Sequence, residues 1–222
     1  LKERKEIVIQ DAVTKGLNPD APLKDSGVEW IGDIPAHWDV KKLKQIFYEK
    51  KHMATMSLNC GSISFGEVVE KDDESVLEST KRSYQEVLEG EFLLNPLNLN
   101  YDLKSLRIAL SKINVVVSAG YIVLKEKQNI NKQYFKYLLY LFDVFHMKLM
   151  GSGVRQTINF NHIANSLLVF PSIEEQKAIS AHIDFECKKS ETAIQAQMEQ
   201  IDNFKEYKAS LINSAVTGKI KV

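Results

Sequence analysis

Four short stretches carry the side chains best able to grip a polyanion. Residues 151–161 read GSGVRQTINFN: the glycines permit close backbone approach, Arg155 beside Gln156 sets a donor fork next to an amide, and Ser152 adds a hydroxyl. Arg forks guanine and Gln pairs adenine along the edges exposed in the major groove, so this pairing suits base reading. The run YDLKSLR supplies Lys104, Ser105 and Arg107. Lys41, Lys42, Lys44, Lys50 and Lys51 form a third group, better suited to phosphates than to bases. The fourth, STKRSY, sets Lys81 and Arg82 inside acidic surroundings, either as an inserted reading loop or as solvated surface. A plain structural reading stands beside the first, in which the glycines stop a helix and the polar groups tie a loop.

Catalytic constellations are sparse. Pro19-Asp20 followed by Asp39-Val40-Lys41 fits a loose nuclease template in which two carboxylates hold Mg²⁺ and a lysine assists the attacking water. The template is short and permissive; a linker acid and a surface lysine satisfy it equally well. The chain has no GxxxxGKS/T loop, no GxGxxG after a strand, no HExxH, no GxSxG elbow and no NPPY- or DPPY-like tetrapeptide for holding a flipped base. His37, His52, His146, His162 and His182 are scattered, and Cys60 and Cys187 have no metal-ligand spacing. Two free thiols in a reducing compartment, no apolar run of membrane-spanning length and a charged N-terminal segment lead to the expectation of a cytoplasmic protein with no membrane partner.

Charge is balanced overall, 29 basic against 29 acidic residues, so nucleic-acid binding would have to come from local charge. Residues 67–91 hold nine acids against three bases, and residues 92–171 nine bases against three acids. Five lysines against one acid fill residues 41–66. Two basic stretches around an acidic one are compatible with a phosphate-facing surface, although folding can scatter them.

The elements that must position these groups are of two kinds. Short apolar runs bounded by turn residues predict strands at 62–65, 67–69, 92–94, 115–117, 121–124 and 167–170. Apolar spacing predicts a helix over 131–150, with Tyr134, Leu138, Leu141, Phe142 and Phe145 on one face, stopped by Gly151-Ser152-Gly153. The segment DSGVEWIGDIPAHW, with two Trp, two Gly and one Pro, reads as an irregular packed lead-in loop, its Trp30 and Trp38 as core anchors. Residues 17–171 are thus an α+β domain large enough for its own core, with a twisted mixed or antiparallel sheet and packed helices.

Beyond Pro171 the pattern changes. Residues 172–216 contain no Pro or Gly, and Ser172 with Glu174 and Glu175 suits a helix start. Ile179, Ile183, Ile194, Met198, Ile201 and Leu211 recur at three- and four-residue steps as a narrow stripe on a long polar helix, the pattern of a coiled-coil seam. Such a rod, roughly 65 Å long, needs a partner helix, expected to be antiparallel, to cover the stripe. The chain also repeats itself: LKERKEIVIQDAVT at residues 1–14 and FKEYKASLINSAVT at 204–217 agree at seven of fourteen positions. Residues 1–16 therefore read as the end of a preceding helix of the same kind, with residues 172–222 as the next one.

These motifs together resemble one family. DSGVEWIGDIPAHWDVKKL resembles the opening of a target-recognition domain of a type I restriction–modification specificity subunit. EVLEGEFLLNPLNL, DLKSLRIALSKINVVVSAGYIVL and GSGVRQTINFNHI are similar to its middle and end. FPSIEEQKAI, with the long helix ending LINSAVTGKI, is similar to its spacer helix. The resemblance implies a non-catalytic subunit that reads one half of a bipartite double-stranded DNA site, its helix acting as ruler and as dock for modification subunits. Catalysis and cofactors would reside elsewhere: S-adenosylmethionine with the modification subunits, ATP and Mg²⁺ with a motor and nuclease subunit. The chain would correspond to the second recognition domain with its helix, or to a half-length subunit that pairs with itself through the long helix. Two other readings stand beside it: a Mg²⁺-dependent nuclease using Asp20, Asp39 and Lys41, and a helical assembly scaffold that reads no DNA.

Overall fold

The structure, a computed structural model, describes residues 2–72, 76–97, 106–147 and 157–218. Its helices are α1 (Lys2–Lys15), α2 (Leu43–Ile46), α3 (Glu78–Lys81), α4 (Lys132–Phe145), α5 (Phe160–Ile163) and α6 (Ile173–Val216). Its strands are β1 (Leu23–Asp25), β2 (Asp33–Pro35), β3 (Asp39–Lys42), β4 (Phe47–Glu49), β5 (Gly61–Ser64), β6 (Glu67–Glu70), β7 (Gln85–Val87), β8 (Phe92–Leu94), β9 (Ile108–Leu110), β10 (Val115–Val117), β11 (Ile122–Glu126) and β12 (Leu167–Phe170). The chain divides into two compact units, Gln10–Ser180 and Leu1–Ile9 with Ala181–Val222. The first is α+β; the second is helical.

The α+β unit is built around a four-stranded antiparallel sheet in the order β4-β11-β8-β9. Successive strand residues face opposite sides, so one register row and its neighbours feed different cores. Val123, Leu93 and Ala109 share a row and pack with Val68, Val87, Val115 and Val117 in one apolar cluster. Phe92, one residue from Leu93, stacks edge-on against Phe47 at 5.4 Å, and Phe47 meets Phe135 of α4 in the same geometry at 5.4 Å. Both faces of β8 are therefore sealed, which is why FLL reads as an unbroken apolar run rather than an alternating one. Two-stranded antiparallel ribbons, β1-β2, β3-β12, β5-β6 and β7-β10, surround this sheet.

The strands at 92–94, 115–117 and 167–170 fall where the apolar runs place them. The lead-in segment differs from expectation: it is a small hairpin, β1 against β2, rather than an irregular loop. Gly27 (φ 71°) and Gly32 (φ 72°) close it, and the Ser26 N–H donates to the Gly32 carbonyl at 3.2 Å. Three-residue strands are too short for alternation to reveal. Helix α4 starts as expected, with Asn131 Oδ1 accepting from the Tyr134 N–H at 2.8 Å as an N-cap, and ends at Phe145, whose side chain is exposed.

The β5–β6 ribbon turns on two residues, Phe65 (φ 49°) and Gly66 (φ 79°). Positive φ at both matches the type I′ turn, whose twist suits a hairpin and whose usual occupants are Asn-Gly. Left-handed backbone costs a phenylalanine about 1–2 kcal/mol, and the side chain, 93% exposed, returns no burial. Phe65→Asn should therefore stabilise the chain by about 1 kcal/mol, seen as a higher urea midpoint; an unchanged or lower midpoint would contradict the strain.

Candidate nucleic-acid interface

Beyond β8 the chain runs Asn95-Pro96-Leu97, and Leu106-Arg107 leads into β9. The Asn95 N–H donates to the Arg107 carbonyl at 2.8 Å, extending the β8–β9 pairing. Leu97 then bridges Thr157 in antiparallel fashion, and the Ile158 N–H donates to the Pro96 carbonyl at 3.0 Å. The roots of segments 98–105 and 148–156 thus meet side by side. Lys104, Ser152, Arg155 and Gln156, the sharpest candidates for reading DNA, lie on those segments and outside the described residues. From Thr157 the chain enters α5, capped by Asn159 Oδ1 on the His162 N–H at 3.2 Å. After α5, the Ala164 and Ser166 carbonyls accept from the Lys44 N–H at 2.9 Å and the Leu43 N–H at 2.8 Å. Exposed Lys42 and Lys44 therefore follow the same route as the second loop root.

Arg107 corrects an expectation. It is 4% exposed, with Nε donating to Asp143 Oδ1 at 2.9 Å and its backbone N–H donating to Asp143 Oδ2. Its Nη1 and Nη2 are buried without a hydrogen-bond partner among the described residues. A side chain so enclosed is a core group rather than a base reader. Asp143 lies on the buried face of α4 at 1% exposure, and a carboxylate there requires charged or N–H donors. Arg107 supplies both from one residue.

Lys50 is likewise drawn inward, its Nζ 2.9 Å from both Glu86 and Glu91. Burial alone would lower its pKa, but the hydrogen bonds to these carboxylates outweigh that and raise it above the ordinary lysine value. Glu91, 4% exposed as a side chain, also accepts from the Leu88 N–H at 2.9 Å. Lys41 is half-buried, its ammonium 3.5 Å from the centre of the Phe170 ring. Arg82 pairs with Glu78 at 2.9 Å on the exposed end of α3, which leads into the β7–β10 ribbon along with Lys81. Asp39 is exposed at the start of β3 opposite Phe170, and Asp20 lies in a turn whose N–H is held by Asn18 Oδ1. Among the described residues, no group of three or more His, Cys, Asp or Glu could hold a metal ion.

A second constellation, not singled out by its residue types, fastens the start of α6. Glu175 Oε1 accepts from Trp38 Nε1 at 2.9 Å and from His37 Nε2 at 2.7 Å, while Oε2 accepts from Ser172 Oγ at 2.9 Å and the Ser172 N–H at 3.2 Å. The Glu175 N–H donates to Ser172 Oγ at 3.2 Å, completing a capping box. Buried Gln176 accepts from the Asn131 N–H at 2.8 Å and donates to the Pro171 carbonyl at 2.9 Å. Tyr134, one turn along α4, donates its hydroxyl to the Val13 carbonyl at 3.3 Å, and burial, with Glu175 nearby, pushes its phenol well above the usual range. Partial burial would raise the Glu175 pKa, but the hydrogen bonds from Trp38, His37 and Ser172 outweigh it and hold it low. The Ser-x-x-Glu spacing was the available signal; its partners 137 and 138 residues away left none.

Helix α6 runs unbroken for 44 residues, about 66 Å. Its stripe begins buried at Ile179 and Ile183, becomes half-buried at Ile194, and stands exposed at Met198, Ile201, Phe204 and Leu211. The sequence predicts a stripe with no partner helix in its own chain, yet an ion pair joins α1 to α6 in the structure. Lys5 of α1 pairs with Glu191 of α6 at 3.1 Å, and Ile9 is buried. The repeated motif has opposite surroundings in its two copies. Ala12, Val13 and Thr14 are buried, whereas Val216 is 82% exposed, although Thr14 and Thr217 each donate to the carbonyl four residues back. Among the described residues no helix is long and apolar enough to cross a membrane.

Comparison with known proteins adds three findings. The family model described as "Type I restriction modification DNA specificity domain" matches residues 35–200. The "Type I restriction enzyme MjaVIII specificity subunit" of Methanocaldococcus jannaschii is 23% identical over 240 residues, covering all of this chain and 55% of that protein. Among solved structures, the HsdS subunit from Thermoanaerobacter tengcongensis superposes with a TM-score of 0.58 at 14% identity, over 99% of this chain and 52% of that one. A chain from a study described as "Structural basis underlying complex assembly and conformational transition of the type I R-M system" gives 0.60 at 15% identity, over 96% and 52%. At these identities the structural likeness establishes the fold, and the chain spans about half the length of each relative.

Two outcomes follow from the buried charges. Lys50→Met should destabilise by about 3 kcal/mol, because Glu91 is left enclosed without its cation; urea unfolding reads this, and adding Glu91→Gln should recover part of the loss. Glu175, with its folded-state pKa depressed, contributes stability that is fully present above the ordinary carboxylate value and is lost as pH falls through the depressed one. The gap in urea midpoint between the wild type and Glu175→Gln should therefore be widest near neutrality and narrow below about pH 4.3; a gap independent of pH would contradict the assignment.

Proposed function

Because the chain belongs to the type I restriction–modification DNA specificity family, matched over residues 35–200, we propose that its α+β unit reads one half of a bipartite double-stranded DNA site. The observation that carries this is the meeting of two chain segments at the Leu97–Thr157 bridge, because segments 98–105 and 148–156, which adjoin it in sequence, hold Lys104, Ser152, Arg155 and Gln156. A fork of donors and an amide can discriminate base edges, while exposed Lys42 and Lys44, on the route out of the second root, suit backbone phosphates. The division of labour is positional: phosphate contacts fix the register and segments 98–105 and 148–156 test the sequence.

Helix α6 is the spacer in this reading. Its exposed stripe, Met198, Ile201 and Leu211, pairs with a second copy or with the other half of a full-length subunit, and its polar face docks modification subunits. The chain itself performs no bond-making. S-adenosylmethionine belongs to the modification subunits, and ATP with Mg²⁺ to the motor and nuclease subunit. Pairing of two identical copies would select a palindromic split site, because symmetry presents the same reader to each half.

The test is the methylation pattern that the subunit directs in a host carrying its modification subunits. The expected outcome is a split motif, with Arg155→Ala relaxing one base position at a cost of about 1–3 kcal/mol in binding. Methylation without any sequence preference, or DNA cleavage by the isolated chain with Mg²⁺ that Asp39→Ala abolishes, would overturn the proposal.

A further inference from the structure

The tip of the β5–β6 ribbon is occupied by a residue that neither the turn nor the core calls for. Phe65 is 93% exposed at φ 49°, where asparagine or glycine would sit without strain. A costly conformation that gains nothing within the fold points to a use outside it.

Two placements say what the ribbon tip lies beside. A Cβ on Gly66 would lie 2.6 Å from Leu106 Cδ1, so the tip rests directly against Leu106, the first described residue after segment 98–105. Leu106 precedes Arg107, whose carbonyl binds the Asn95 N–H, and Leu97, two residues past Asn95, bridges Thr157. Phe65 is thus linked through Gly66 and Leu106 to the roots of segments 98–105 and 148–156. The charge beside the tip is also offset. Glu67 pairs with Lys112 at 2.9 Å, which holds its carboxyl below the usual range, and Lys136 adds to the effect.

We propose that Phe65 is an apolar wedge for duplex DNA, inserting its ring at a base step beside the bases read by the neighbouring loops. The inference rests on the DNA-reading function proposed above and adds to it a different kind of recognition. Insertion partly unstacks the step, so sequence is sensed through the ease of deformation rather than through hydrogen bonds, favouring flexible pyrimidine–purine steps. The held left-handed turn keeps the ring projecting before DNA arrives, so little ordering is left for the moment of binding.

The experiment compares wild type, Phe65→Asn and Phe65→Tyr, each assembled with the modification subunits of its own system. The probe is the duplex that the wild-type assembly enriches from a randomised library, with 2-aminopurine scanned through it. Phe65→Asn is expected to assemble normally, melt no lower than wild type and bind about tenfold more weakly, with an unchanged salt slope because no phosphate contact is lost. The wild type should show a fluorescence rise at one step that Phe65→Tyr keeps and Phe65→Asn loses. Equal affinity and equal fluorescence for Phe65→Asn would overturn the wedge. Failure of Phe65→Asn to assemble would also overturn it, assigning the ring to a protein interface instead. If the wild type enriches no sequence at all, the DNA-reading proposal itself fails and the wedge falls with it.

Discussion

The carboxylate of Asp143 is the constraint around which the roots of segments 98–105 and 148–156 are organised. It lies in the apolar face of α4, 1% exposed, where an unpaired charge would cost several kcal/mol. Its two oxygens are answered by the backbone and side chain of one residue, Arg107. Arg107 directly precedes β9 and follows segment 98–105 by two residues, and Asp143 lies four residues before Met147, where the chain leads into segment 148–156. One ion pair therefore ties the approaches to both segments, and the Leu97–Thr157 bridge adds a second tie. Low dielectric makes such a pair intolerant of misplacement, so the two roots are held in register.

The start of α6 is held by the same logic with different chemistry. A capping box is normally a local device, satisfying N–H groups at a helix terminus. Here the Glu175 carboxylate has a second use, accepting from Trp38 and His37, and neighbouring Gln176 clamps the N-cap of α4. The first two turns of α6 are thus bonded to the hairpin segment, to α4 and, through Tyr134, to the end of α1. Several short hydrogen bonds to rigid elements fix the start of the helix more firmly than a flexible linker would.

What could be read from sequence follows from the range of the interaction involved. Phe92–Leu94, Val115–Val117 and Leu167–Phe170 announce themselves because both faces are sealed, and the run of apolar residues is local information. The unbroken α6 is equally plain, since a Pro- and Gly-free stretch leaves the backbone no reason to stop. β3 is hidden by its own composition: Asp39, Lys41 and Lys42 speak for solvent, while the pairing that makes them a strand comes from residues 167–170. Arg107 and Lys50 were read as surface cations because charge is exposed by default. Their partners lie 36 residues or more away along the chain, and only the fold brings Asp143 and Glu91 to them. The meeting of Leu97 and Thr157 is not legible in the residue types, because a single antiparallel bridge between residues 60 positions apart creates it.

The two copies of Ala-Val-Thr lead somewhere that neither copy reveals alone. In the first, Val13 is fully enclosed and its carbonyl accepts the Tyr134 hydroxyl; in the second, Val216 is 82% exposed. The same local hydrogen bond, from the threonine hydroxyl to the carbonyl four residues earlier, shapes both helix ends alike. One three-residue sequence thus serves as core at one helix end and as surface at the other, so a polar side chain would be felt at Val13 and tolerated at Val216.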